Sequence, residues 1–114
     1  MSFIQDAPVF KLTYDLLKTL HTARIKFSKL EKYTLGETLE RSAMTLLLHI
    51  IDAGKTKREW KIGSIDSALH ELEKLKVLIR LSLDLQQLQE RDQLTMQETI
   101  QKIGRMLGGW RNSL

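Results

Sequence analysis

Three histidines, fourteen carboxylates and eighteen cationic side chains are the groups in this 114-residue chain that could do chemistry. His21, His49 and His70 lack the paired i, i+4 spacing of a helical zinc site. Each stands beside polar neighbours on a separate segment, so all three read as surface histidines. Glu71 and Glu73 fall on different sides of one helix. No G-x-S-x-G motif places a nucleophile, and the glycines are not arranged as a phosphate-cradling loop. With zero cysteines there is no disulfide framework and no thiolate metal site. No catalytic residue, metal site or cofactor is assigned, and the chain reads as a non-enzyme.

The cations are the more informative set. Residues 1–61 hold 11 Lys or Arg against 7 Asp or Glu, whereas residues 62–114 hold 7 against 7, so the whole net charge of +4 sits in the first part. Two dense segments carry it, RIKFSKLEK (24–32) and KTKREWK (55–61). Their solvation alone could explain them. Read functionally, Arg24, Lys26, Lys29 and Lys32, together with Lys55, Lys57, Arg58 and Lys61, form a candidate patch on connecting turns for phosphates or an acidic partner. Nothing resembles a recognition helix or an aromatic stacking platform, so binding through phosphates with slight sequence preference is expected.

These side chains must be positioned by helices, because four helical patterns and no strand pattern appear. Pro8 suits a first helical position. Val9, Leu12, Leu16, Leu20, Ala23 and Phe27 then give an apolar stripe over about 8–26. Ser28 and Glu31 have capping-box spacing and open a second helix over 29–53. Gly36 lies inside that helix at a cost of about 1 kcal/mol relative to alanine, which points to close approach of another backbone. Gly63-Ser64 starts a third helix that runs to about Gln89. A fourth starts near Thr95 or slightly earlier and covers 94–108, with Gly108-Gly109 as its stop and Trp110 as an anchor. Short connections predict one all-α domain, an up-down-up-down antiparallel four-helix bundle. Composition is that of a globular protein, no apolar run could span a bilayer, and MSFIQDAPVF lacks a secretion signal. A cytoplasmic protein with no membrane contact is expected.

Two helices are too apolar for a lone bundle. The third carries its expected stripe and, on the opposite side, Val77, Leu81, Leu85 and Leu88; Met44, Leu47, Leu48 and Ile51 widen the apolar arc of the second. A thick core under loops would explain this, as would a subunit interface. The interface reading assigns Met44, Leu48, Val77, Leu81, Leu85 and Leu88 to self-association.

KLEKYTLGETLERSA (29–43), LHELEKLKVLIRLSLDLQQL (69–88) and IGRMLGGW (103–110) together resemble the accessory variability determinant proteins of diversity-generating retroelements. The likeness runs from about Val9 to Trp110, and the GRMLGGW tail is its most specific part. Ser28 stands where that family often has proline, which leaves the helix start intact. The resemblance implies a ring-like homo-pentamer of basic bundles with no activity of its own. It also implies binding to the element's reverse transcriptase and to RNA or DNA, supporting mutagenic retrohoming. Two other readings stay open: the related bundles encoded by insertions in ribosomal RNA genes, and a plain oligomerisation module. The 55–61 loop matches no family signature, so its candidacy rests on charge alone.

Overall fold

Pro8 has no N–H to leave unpaired, and it opens the first of four long helices, α1 (Pro8–Ile25). In the computed structural model, which describes residues 3–114, α1 follows a 3-10 turn at Ile4–Asp6. Met1 and Ser2, which open the MSFIQDAPVF stretch, lie outside the described residues. A single turn α2 (Lys29–Lys32) leads into α3 (Leu35–Lys55), followed by α4 (Arg58–Asp84) and α5 (Glu90–Asn112). No strand occurs among the described residues.

Helical periodicity accounts for what is buried. Val9, Leu16 and Leu20 of α1 face the core with Thr13, whose hydroxyl is satisfied by the Val9 carbonyl at 2.8 Å. Leu35, Leu39, Ala43, Leu46, Ile50 and Ala53 of α3 lie against Ile65, Ala68, Leu72, Leu75 and Ile79 of α4 in one contiguous core. Met96, Ile100, Ile103 and Leu107 of α5 complete it. The helices pack as α1–α3, α3–α4, α4–α5 and α5–α1 in a body 44 × 22 × 21 Å. Polar links fix their register. Ser42 donates to Glu71 at 2.7 Å across α3–α4, and Gln97 donates to the Lys76 carbonyl at 3.1 Å across α4–α5. Arg111 donates from Nε and Nη2 to Asp66, and that hydrogen bond holds the Asp66 carboxyl below its ordinary range. This tie between α4 and α5 therefore persists until the pH falls through the lowered value.

The helix expected over 29–53 is interrupted. Ser28 does cap α2, accepting from the Glu31 N–H at 3.3 Å. The reciprocal half of the capping box is replaced by tertiary contact, since the Ser28 N–H donates to Gln87 Oε1 at 2.8 Å. The chain then turns at Tyr33-Thr34 before α3. Arg24 fills that break: its Nε donates to the Lys32 carbonyl at 2.7 Å, and its guanidinium stands 3.5 Å from Glu40. Gly36 is explained by the same side chain. A Cβ there would meet Arg24 Cγ at 2.7 Å, so the close approach is made by a side chain and not by another backbone.

Three other boundaries differ from expectation. α4 starts at Arg58, six residues before Ser64, and Gly63 sits within it. It also stops earlier than Gln89, because Gln86 adopts a left-handed backbone (φ 62°). The Gln87 N–H then donates to the Ser82 carbonyl at 2.8 Å and the Gln86 N–H to Leu83 at 2.9 Å, the paired bonds of a Schellman stop. That turn carries Leu88 inward; it is 8% exposed and belongs to the core, not to an outer stripe. α5 opens at Glu90, and Thr95 lies inside it, donating to the Arg91 carbonyl at 3.0 Å. Gly108 and Gly109 do not end α5, which continues to Asn112 and keeps the half-buried Trp110 packed on the core.

Gly36→Ala should destabilise by about 1 kcal/mol in urea unfolding, because overpacking of roughly 2 kcal/mol exceeds the ~1 kcal/mol helix gain. In an Arg24→Ala background the same change should become stabilising; an unchanged sign would refute the contact. Gln86→Gly should raise stability by about 0.5–1 kcal/mol, since glycine adopts the left-handed turn without strain. A lower thermal midpoint in that variant would count against the assigned stop.

Candidate nucleic-acid and partner surfaces

The two basic segments flank α3. Its 21 residues hold them about 30 Å apart at ~1.5 Å per residue. This is several times the Debye length of about 8 Å at physiological salt, so they form two separate candidate sites rather than one patch.

At the first site, Arg24 is withdrawn from service. It is mostly buried, bonded to Lys32 and Glu40, and its guanidinium carbon lies 6.0 Å from the Tyr33 ring centroid. Glu40 also accepts from His21 Nδ1 at 2.9 Å when that nitrogen carries the proton, which joins α1 to α3. Lys26 and Lys29 are exposed and Lys32 is half-buried, and none of the three forms an ion pair among the described residues. Lys26 opens onto a groove of about 740 Å³ between α1 and the start of α5, walled by Thr19, Thr22, Gln87, Arg91 and Thr95. Arg91 was not singled out from the sequence, because QERDQ has no excess of positive charge. Its pairing with Lys26 comes only from the α1–α5 contact. Asp92 is the one carboxylate in that groove.

At the second site, Lys61 is the structural cation. Its ammonium donates to the Ala53 carbonyl at 2.6 Å near the end of α3 and lies 5.8 Å from the Trp110 ring centroid. Lys55, Lys57 and Arg58 are exposed, and Arg58 reaches the Leu114 carbonyl at 3.5 Å. Beside them stands Trp60, 67% exposed. It is a single exposed aromatic in a basic turn, a feature that the reading of the basic segments left out. The signal was present in KTKREWK as an aromatic set within a run of cations.

The expected interface residues divide similarly. Met44 and Leu48 on α3, and Val77, Leu81 and Leu85 on α4, are all large apolar side chains left exposed, whereas Leu88 is buried. Leu94 of α5 is exposed as well and was not foreseen. Because Ser42 bonds Glu71, Met44 and Leu48 lie on the Ala53 side of that level, and Val77 to Leu85 lie on the α4–α5 turn side. They therefore form two groups at different heights. His21 and His70 are exposed and His49 is half-buried, and no cluster of three metal-ligating side chains occurs among the described residues. No helix in the described residues is long and apolar enough to cross a membrane.

Comparison with curated protein sequences finds no match. The bAvd-like family model, by contrast, matches residues 9–114, a span that takes in all four long helices and both basic turns. Because that match covers nearly the whole chain, the protein belongs to the bAvd-like family, the accessory variability determinants.

Proposed function

We propose that this chain is the non-enzymatic accessory protein of a diversity-generating retroelement, an oligomeric adaptor that binds the element's reverse transcriptase and the phosphates of RNA or DNA during mutagenic retrohoming. Family membership over residues 9–114 is the observation that carries the reading. The fold is taken as one up-down-up-down bundle domain, supported by short turns and by the α1–α3–α4–α5–α1 order of contact. Six exposed or half-exposed cations without carboxylate partners among the described residues, Lys26, Lys29, Lys32, Lys55, Lys57 and Arg58, support the phosphate-binding role. Arg24 and Lys61 leave the candidate set because backbone carbonyls already hold them.

The apolar surface supports assembly. Two different groups, Met44 with Leu48 and Val77 with Leu81 and Leu85, suit a head-to-tail contact in which one patch meets a dissimilar patch on the next copy. Head-to-tail contacts close into rings when the rotation allows. The family resemblance supports a ring of five 13.2 kDa chains, and a cytoplasmic setting goes with the proposed partners.

Leu81→Asp with Leu85→Asp should dissociate the oligomer while preserving helical content, because unpaired carboxylates are costly to bury between subunits. Light scattering that returns a monomer for the unaltered protein would eliminate the assembly. Neutralising Lys26, Lys29 and Lys32 together should weaken nucleic-acid binding and flatten its salt dependence, by about 0.7–0.9 in slope for each lost phosphate contact. The same change at Lys55, Lys57 and Arg58 ranks the second site. Unaltered slopes in both variants, with loss of reverse-transcriptase co-purification, would reassign the basic surface to protein docking.

A further inference from the structure

Trp60 has its indole left bare by the fold. It is the third residue of α4, 67% exposed, at the turn where KTKREWK concentrates charge. The other tryptophan is treated differently: Trp110 is half-buried, packed against the core, with the Lys61 ammonium 5.8 Å from its ring centroid. Lys57 is the residue that caps the start of α4, three positions before Trp60. Arg58 and Lys61 are turned away, toward the Leu114 and Ala53 carbonyls. Lys55 closes α3 two residues before Lys57. The result is an exposed aromatic face beside two lysines with no ion-pair partner among the described residues. Across 52–61, four cations stand against two carboxylates, Asp52 and Glu59, so the turn as a whole selects anions.

Two properties together choose the ligand. The lysines call for an anion, and the indole calls for a flat apolar surface. An apolar protein anchor would present a contiguous patch, but the nearest exposed apolar neighbour in sequence, Ile62, lies about 200° around the helix from Trp60. A nucleotide strand supplies a phosphate and a ring at every residue. A duplex hides its ring faces within the base stack, so only unpaired nucleotides satisfy both demands. We propose that Trp60, with Lys55 and Lys57, is a stacking site for single-stranded nucleic acid: the indole takes the face of one unpaired base and the two ammonium groups take adjacent phosphates. This site rests on the nucleic-acid role proposed above and adds to it a preference for unpaired strand at the α3–α4 turn.

Trp110→Phe leaves Trp60 as the sole tryptophan and so makes it a reporter. Titration with an oligo(dT) of about 15 nucleotides should quench its emission and saturate together with the anisotropy of the labelled strand. A blunt hairpin duplex should bind without quenching. In the otherwise unaltered chain, Trp60→Ala should weaken oligo(dT) binding by at least about fivefold while leaving the salt slope and duplex affinity unchanged. Trp60→Phe should restore most of the affinity. The position is exposed, so circular dichroism should show unchanged helix content in both variants. Strand binding without quenching, or undiminished affinity in Trp60→Ala, overturns the stacking site alone. Loss of self-assembly or of reverse-transcriptase binding in Trp60→Ala with strand affinity intact makes the indole a protein contact and likewise overturns it. If the unaltered protein binds neither single strand nor duplex at low salt, the nucleic-acid role fails and the stacking site fails with it.

Discussion

A helix that is interrupted or ended in the interior must still satisfy its last carbonyls, and in this bundle that requirement organises most of what surrounds the core. α3 sits between α1 and α4 and buries nine residues from Leu35 to Ala53. At its approach the Lys32 carbonyl is met by Arg24, and near its end the Ala53 carbonyl is met by Lys61. Both cations come from other elements, so the end of α2 and the last turn of α3 are secured by tertiary contact. The stop of α4 follows the same rule by another route, through the left-handed Gln86 and the paired bonds to Ser82 and Leu83.

That use of cations bears on function. Lysine and arginine can bind phosphate only where their donors face water, and a guanidinium already held by a carbonyl and a carboxylate has little to offer. Arg24 and Lys61 are therefore parts of the scaffold in segments that otherwise look like binding surface. The cations that remain fall into two sets separated by the length of α3. The set around Lys26 gains Arg91 through the packing of α5 on α1, whereas the set around Lys57 gains the exposed Trp60. One site offers a polar groove and the other an open turn.

The apolar surface obeys a related economy of position. α4 needs one face for the core, and Ile65, Ala68, Leu72, Leu75 and Ile79 supply it. Val77, Leu81 and Leu85 lie outside that face and remain exposed, as do Met44 and Leu48 on α3. The proposed self-association would give these residues a use that an isolated bundle lacks.

What could be read from the chain alone was set by local rules. Apolar spacing of three and four fixes a helix and its inward face whatever surrounds it, so the four long helices, most of their buried residues and the Ser28 cap were legible, as was the family. Ends and partners were not. The break at Tyr33-Thr34, the start of α4 at Arg58 and its stop at Asp84 depend on groups distant in sequence or on a backbone conformation that glutamine rarely adopts. Leu88 looked like the last rung of an outer stripe only while α4 was taken to continue; once the helix stops, the turn points it inward. Gly36 announced crowding, but that Arg24 was the neighbour required α1 and α3 to be placed together. The same holds for every cation here: sequence determines that the charge exists, and only tertiary packing decides whether its donors meet a carbonyl or water.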